Sequence, residues 1–262
     1  MPDKTTLDPK WGQPDGTHDP RVLAHFQALE SDVLITTAPK AGTTWMQQIL
    51  YQMRSGGNTD FDNIDSVVPW LELPRRDKSW RQVLDDYDTL PRPRLFKTHC
   101  TAEQTPGIGT ARIILTVRDP RDCCVSFYHH LINMTDSARD MTGHQRPASF
   151  AAHVETWLKF AAWFRNVKSW WPYRDHEKVL LFRYEDLKRD PGAGVDRIAA
   201  FLNWVVTPEH KAKVLKYSSF DWMKAHDNKF SGQTESGDST FKPGRFIRQG
   251  KVGAYRDLIT PV

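Results

Sequence analysis

The 262-residue chain is 39% hydrophobic, 26% charged and 11% aromatic, a globular balance with room for one large α/β domain. Thirty-six Lys and Arg stand against 32 Asp and Glu, leaving a net charge of +4. These cations are scattered, which speaks against the dense basic face of a nucleic-acid binder and suits a concave site for a multiply anionic small molecule.

Residues 1–20 are polar, with several prolines and no apolar signal-peptide core. They read as a flexible arm ahead of a domain over 21–262. No run approaches the roughly 18–20 apolar residues that span a bilayer. Pro20–Glu30 predicts a short helix, Asp32–Thr37 a first strand and Thr44–Arg54 the helix after it. Residues 55–93 hold Gly-Gly, Asp, Pro and two Trp, the composition of an irregular excursion that carries a substrate site. Arg94–His99 predicts a second strand and Ala111–Val117 a third, apolar enough to be buried on both faces. A helix begins near Cys123. Phe150–Trp170 predicts one long amphipathic helix, with Val154, Trp157, Phe160, Ala161, Phe164 and Val167 on one stripe. Lys178–Arg183 is the fourth strand and Val195–Leu202 the helix after it. Residues 227–245, rich in Gly, Ser, Thr and Asp, predict a mobile loop. Strands alternating with helices imply right-handed crossovers and a central, mainly parallel sheet flanked by helices. Cys100, Cys123 and Cys124 are odd in number, and two are adjacent. They form no disulfide framework and match no zinc spacing, so reduced thiols and a cytoplasmic location are expected.

In such a sheet ligands sit beyond the carboxyl ends of the strands. Lys40–Trp45, Lys97–His99, Arg118–Ser126 and Arg183–Asp186 should therefore converge. The first segment, Lys40-Ala41-Gly42-Thr43-Thr44-Trp45, passes from a strand through a small-residue turn into a helix. Backbone N–H groups and the helix dipole favour an anion there. Lys40 adds a mobile charge, and Thr43 and Thr44 add hydroxyls. Lysine precedes glycine, so this is not the nucleoside-triphosphate loop Gly-x-x-x-x-Gly-Lys-Ser/Thr. In the second, a buried strand delivers Arg118 to the sheet edge, with Ser126 about two helical turns on. Arginine forms bidentate bonds to phosphate, and a serine hydroxyl adds a contact. The competing reading pairs Arg118 with Asp119 or Asp122 and buries Ser126 on its own helix.

Thr-Ala-Pro-Lys-Ala-Gly-Thr-Thr-Trp resembles the 5′-phosphosulfate loop of cytosolic sulfotransferases, and Val-Arg-Asp-Pro-Arg-Asp-Cys-Cys-Val-Ser resembles their 3′-phosphate motif. Phe182-Arg-Tyr184-Glu-Asp-Leu and Phe246-Ile-Arg248-Gln249-Gly250-Lys-Val-Gly-Ala-Tyr are similar to two further segments, in family order. The resemblance implies a single P-loop-like domain. It also implies 3′-phosphoadenosine 5′-phosphosulfate as co-substrate, transfer to a hydroxyl or amine, and no metal. By position, Lys40, Ala41, Gly42, Thr43 and Thr44 would hold the 5′-phosphate and Trp45 would stack on adenine. Arg118, Ser126, Arg248, Gln249 and Gly250 would hold the 3′-phosphate. Tyr184, Ser219, Phe220 and Met223 would meet the adenine, with core packing as the rival reading for the aromatic and Met positions. His99, at a Lys-Thr-His strand end, would be the base, since a hydroxyl attacks poorly until a near-neutral imidazole takes its proton. Lys97 would add charge at the transferring group.

Two departures stand out. Gln249 takes the place of a usual lysine, with Lys251 or Arg256 as possible substitutes, and Tyr255 replaces a tryptophan. The sequence stops at Val262, before the family's usual dimer segment, so the oligomeric state is open. The partner expected is a small aromatic or lipophilic alcohol, met by residues 55–93, the segment after His130 and the 227–245 loop. Trp70, Trp80, Phe127 and Tyr128 are candidate acceptor aromatics. A P-loop kinase would need a Gly-Lys-Ser/Thr loop and a magnesium carboxylate; a non-catalytic relative would be expected to lack Lys40 or His99.

Overall fold

The computed structural model describes residues 7–232 and 237–259. Its first half runs α1 (Pro20–His25), β1 (Val33–Thr37), α2 (Thr43–Ser55), α3 (Ile64–Val67), α4 (Trp80–Asp88), β2 (Leu95–Thr98) and β3 (Arg112–Val117). There follow α5 (Pro120–Asn133), α6 (Asp136–Thr142), α7 (Phe150–Phe160), α8 (Ala162–Trp170) and β4 (Val179–Arg183). The last helices are α9 (Tyr184–Arg189), α10 (Pro191–Leu202), α11 (Pro208–Tyr217) and α12 (Phe220–Ala225).

The four strands form one parallel sheet in the order β2-β1-β3-β4. Val33 of central β1 faces Leu95 on one side and Arg112 on the other, and Ile113 of β3 faces Val179. Side chains alternate across a strand, so each face of the sheet carries its own core. Val33, Ile35 and Ile114 pack on Ile49, Leu50 and Met53 of α2, with Ile198 of α10 and Val214 of α11. Leu34, Phe96 and Leu115 pack on Val22 and Leu23 of α1 and on Val83 and Tyr87 of α4. The sheet is closed at its amino end by a buried ion pair. Arg94 donates from Nε and Nη2 to the two oxygens of Asp32 at 2.9 and 2.6 Å, between the rings of Phe26 and Phe96.

Three expectations change. The first helix ends at His25, because the Asp32 carboxylate and the Leu29 carbonyl close a turn over residues 29–32. The single helix expected over Phe150–Trp170 is two helices, broken at Ala161 with φ 50°. The break lets the halves face different partners. Trp157 packs against Cys123 and Cys124 of α5, while Asn166 and Trp170 both donate to the Cys100 carbonyl beyond β2. Phe160 and Phe164 of the expected apolar stripe are consequently exposed. Of the expected flexible arm, residues 1–6 lie outside the described residues. Beyond them Trp11 packs on the α1–α4 core, and the Asp19 N–H donates to the Glu72 carbonyl.

The expected loop over 227–245 includes residues 233–236, which lie outside the described residues. On either side it is pinned. The Asp227 carboxylate accepts from the N–H groups of Phe246 and Ile247, and Phe241 forms a β-bridge with Met134. Among the described residues no helix is long and apolar enough to cross a membrane.

Candidate active site

The four strand ends meet at one rim. After β1 the chain turns through Lys40 at φ 68° and Gly42 at φ 101°. Gly42 caps α2 with no side-chain bond of its own, so no cap side chain takes up the first-turn N–H groups of α2, an arrangement that can favour an anion. A side chain at Gly42 would collide with Tyr184, whose Cδ2 lies 2.9 Å from the position a Cβ would take. Ala41 is fully buried. The Thr43 hydroxyl pairs with that of Thr37 inside the fold, leaving its N–H as its contribution to the rim. Thr44 is half-buried in the same turn. Trp45 donates from Nε1 to the Ser218 carbonyl at 2.9 Å and meets Tyr184 edge-on at 5.6 Å.

Arg118 follows β3 and is buried. It donates to the carbonyls of Lys40 at 3.3 Å and Lys251 at 2.8 Å, and its guanidinium lies over the Tyr184 ring. Its Nε is buried without a partner. The rival pairing with Asp122 is present but long, at 3.6 Å. Asp122 instead accepts from the N–H groups of Gly253 and Tyr255 at 2.8 and 2.9 Å. That tie brings the late segment to the rim. Ser126 and Arg248 line one small pocket with Lys40, His129, His130, Arg245, Phe241 and Phe246. Gly250 approaches the Phe220 ring so closely that a Cβ would lie 2.9 Å from it, and its carbonyl accepts from the Tyr184 hydroxyl at 3.4 Å. Gln249 leaves Oε1 buried without a partner. Ser219 caps α12, Phe220 is half-buried, and Met223 is a core side chain. Lys251 and Arg256 are exposed.

His99 ends β2. Its Nδ1 lies 2.8 Å from the Thr37 carbonyl. A carbonyl only accepts, so Nδ1 carries the proton and Nε2 keeps its lone pair. The His99 N–H donates to Glu72 at 3.0 Å, and Asn166 donates to its carbonyl. The backbone is thus held by Glu72 and Asn166 and the ring by the Thr37 carbonyl, with Trp70 edge-on at 5.1 Å. Burial, reinforced by Lys97 and Lys40, lowers its pKa to about 4 against the pull of the Thr37 bond. It stands neutral over the physiological range, the form a base requires. Lys97 is held by Asp65 at 3.0 Å and lies over Trp70. Lys40 is lowered to about 7 by burial and then by Arg118 and Lys97.

Spacing alone did not single out Glu72, Asp65 or Arg245. Glu72 accepts from the His99 N–H and lies with His18 and Cys100, one ligating atom of each within 4.8 Å of the others. Its charge adds to burial in raising the Cys100 thiol. His130, which faces Lys40 at 3.0 Å, had a signal: it lies one turn beyond Ser126 on the same helix face. Of the candidate acceptor aromatics, Trp70 flanks His99. Phe127 stacks on His130. Tyr128 packs on Phe150. Trp80 lies with His25, in the α1–α4 core.

The family model described as Sulfotransferase domain matches residues 30–262. Mouse sulfotransferase 1B1 is 31% identical over 252 residues, covering 91% of this chain and 80% of that protein. Human sulfotransferase 2A1 is 31% identical over 251 residues, covering 92% and 82%. The solved structure of mouse sulfotransferase SULT7A1, complexed with PAP, superposes with a TM-score of 0.68 at 25% identity, covering 90% of this chain and 80% of that one.

Proposed function

The chain belongs to the sulfotransferase domain family, and from that premise we propose that it moves the sulfonyl group of 3′-phosphoadenosine 5′-phosphosulfate to a hydroxyl or amine of a small acceptor. His99 Nε2 takes the acceptor proton as the new O–S or N–S bond forms. The S–O bond to the 5′-phosphate breaks in line, and its electron pair stays on the departing phosphate oxygen. Lys40 and the first-turn N–H groups of α2 oppose that growing charge, the largest kind of term in such sites. Arg118, Ser126 and Arg248 hold the 3′-phosphate, and Trp45, Tyr184 and Phe220 surround the adenine.

The observation that carries this reading is the fixed tautomer of His99: Nδ1–H on the Thr37 carbonyl, Nε2 unprotonated, at the rim that holds Lys40. The orphaned Arg118 Nε and the close Gly42–Tyr184 and Gly250–Phe220 approaches support an anionic, flat-based donor. Trp70 beside the base and Phe127 beside His130 support an aromatic or lipophilic alcohol as acceptor. Three free, buried thiols support a reducing, cytoplasmic setting.

The test is transfer from radiolabelled donor across phenols, sterols, lipids and sugars, together with binding of adenosine 3′,5′-bisphosphate in the absence of magnesium. Label transfer and magnesium-free binding are expected. Magnesium-dependent ATP turnover without sulfonyl transfer would reject the proposal.

A further inference from the structure

Lys40 Nζ has one hydrogen-bond partner among the described residues, Nδ1 of His130 at 3.0 Å. His130 lies in the last turn of α5. Its ring is stacked on Phe127 at 5.7 Å and packed on Phe241 at 4.5 Å and Phe246 at 6.1 Å. Three phenylalanines therefore fix the ring, and with it the direction of its Nδ1 lone pair. Lys40 itself lies 5.1 Å over the Phe246 ring.

When Lys40 is an ammonium it can only donate, so Nδ1 is then bare and the neutral His130 carries its proton on Nε2. Burial holds His130 well below the usual histidine range. Lys40, His144, Lys97 and His99 press the same way. Around Lys40 stand Arg118 after β3, Lys97 on β2, Arg248 in the late segment and Cys123 on α5. The three cations favour the neutral amine. Cys123 is an uncharged thiol, its pKa raised by burial to about 12. Among these neighbours His130 is the one whose lone pair can favour the ammonium form, since a charged donor makes the stronger hydrogen bond.

We propose that His130 is a positioning residue for sulfonyl transfer: its lone pair favours the ammonium form of Lys40 and aims it at the rim before the donor arrives. This rests on the reading of Lys40 as a donor ligand. The donor then replaces an imidazole lone pair with phosphate oxygens, which favour the ammonium form further.

The experiment is the pH dependence of kcat/KM for the donor, from pH 6 to 9, with the full chain and its His130→Phe, His130→Asn and Lys40→Ala variants. Wild type loses activity as pH rises through the pKa of Lys40. In His130→Phe that alkaline limb moves down by about one pH unit, the worth of one hydrogen bond to a charged group. Its activity at pH 8 then falls roughly tenfold while that at pH 6 falls only about twofold. His130→Asn, whose side-chain oxygen can stand where Nδ1 stood, returns the limb toward wild type. A uniform loss at every pH in His130→Phe, an unmoved limb, or failure of the Asn variant to restore it would each overturn the proposal. A fully active Lys40→Ala would instead overturn the parent reading of Lys40. Independently of any variant, ¹⁵N histidine spectra of the unmodified chain should give the Nε2–H tautomer for His130; the Nδ1–H tautomer would refute the proposal.

Discussion

Replacing Gly42 by Ala should damage this protein in a way that replacing Gly56 does not. Both glycines have left-handed backbones, φ 101° and φ 69°, so each substitution costs roughly 1–2 kcal/mol of backbone strain. They differ in their surroundings. No atom lies within 4 Å of a Cβ at Gly56, whereas one at Gly42 meets Tyr184 at 2.9 and 3.2 Å. Tyr184 cannot withdraw easily. It is 5% exposed, the Arg118 guanidinium lies 4.5 Å from its ring centre, and Trp45 abuts it. Overpacking of that kind adds about 1–3 kcal/mol. At roughly 2–4 °C per kcal/mol for a chain of this size, Gly42→Ala should melt about 2–12 °C below Gly56→Ala. Displacing Tyr184 also displaces Arg118 and Trp45, so affinity for adenosine 3′,5′-bisphosphate should fall about tenfold or more, a loss of roughly 1.4 kcal/mol. Gly56→Ala should bind as wild type. Thermal unfolding and titration calorimetry read both quantities. Equal melting temperatures with equal affinities would refute the assignment of this turn as the phosphate cradle.

His99→Ala should lower transfer about 10²–10⁴-fold while leaving bisphosphate binding near wild type, by turnover assay and calorimetry; a parallel loss of binding would mean the role is misassigned. Since the base must be unprotonated and His99 is lowered to about 4, kcat/KM for the acceptor should decline as pH falls through about 4, and a limb near the ordinary histidine value would contradict the geometry. At pH 8 a Lys40 with a pKa of about 7 is roughly one-tenth protonated. Bisphosphate binding that raises it toward its ordinary value should then take up close to one proton, measured by calorimetry in buffers of different ionisation enthalpy and absent in Lys40→Arg. Asp32→Asn leaves buried Arg94 with only the largely exposed Asp88 carboxylate, at 2.6 Å, as countercharge and should cost up to about 3 kcal/mol, the low end for a broken buried pair, seen as a lower denaturation midpoint; because the pair sits at the amino end of the sheet, the donor KM should stay near wild type.

What could be read from the sequence was what local chemistry dictates. The Lys40–Trp45 turn follows from a β-branched run, a glycine and a helix start within a few residues. The convergence of Lys40, His99 and Arg118 follows from strand–helix alternation, because parallel strands bring their carboxyl ends to one edge. The break at Ala161 was hidden because its backbone carries no glycine or proline signal; tertiary packing imposes it, by turning Trp157 toward α5 and Trp170 toward β2. The role of Asp122 was hidden for a related reason. Its partners, Gly253 and Tyr255, are more than 130 residues away, and no spacing rule connects them. Glu72 and Asp65 lie in the irregular 55–93 segment, where periodicity offers no direction for a side chain.

The charges at the rim explain why these acidic residues matter. Lys40, Lys97, Arg118 and Arg248 converge, and like charges gathered in a partly buried site destabilise one another. The fold answers unevenly. Asp65 neutralises Lys97 at 3.0 Å, which reduces the free charge that Lys97 brings to the transferring group. Asp122 lies 3.6 Å from Arg118 and is committed to two backbone N–H groups. Lys40 has an imidazole and aromatic faces rather than a carboxylate, and Arg248 is lowered by burial and by Arg118. The repulsion is therefore left concentrated on Lys40 and Arg248, at the 5′ and 3′ sides of the proposed donor. A ligand phosphorylated at both ends relieves both at once, whereas one phosphorylated at a single end relieves one. That asymmetry makes the cation pair a basis for choosing a doubly phosphorylated nucleotide, and it places Lys40 where its charge answers both to donor binding and to the His130 lone pair.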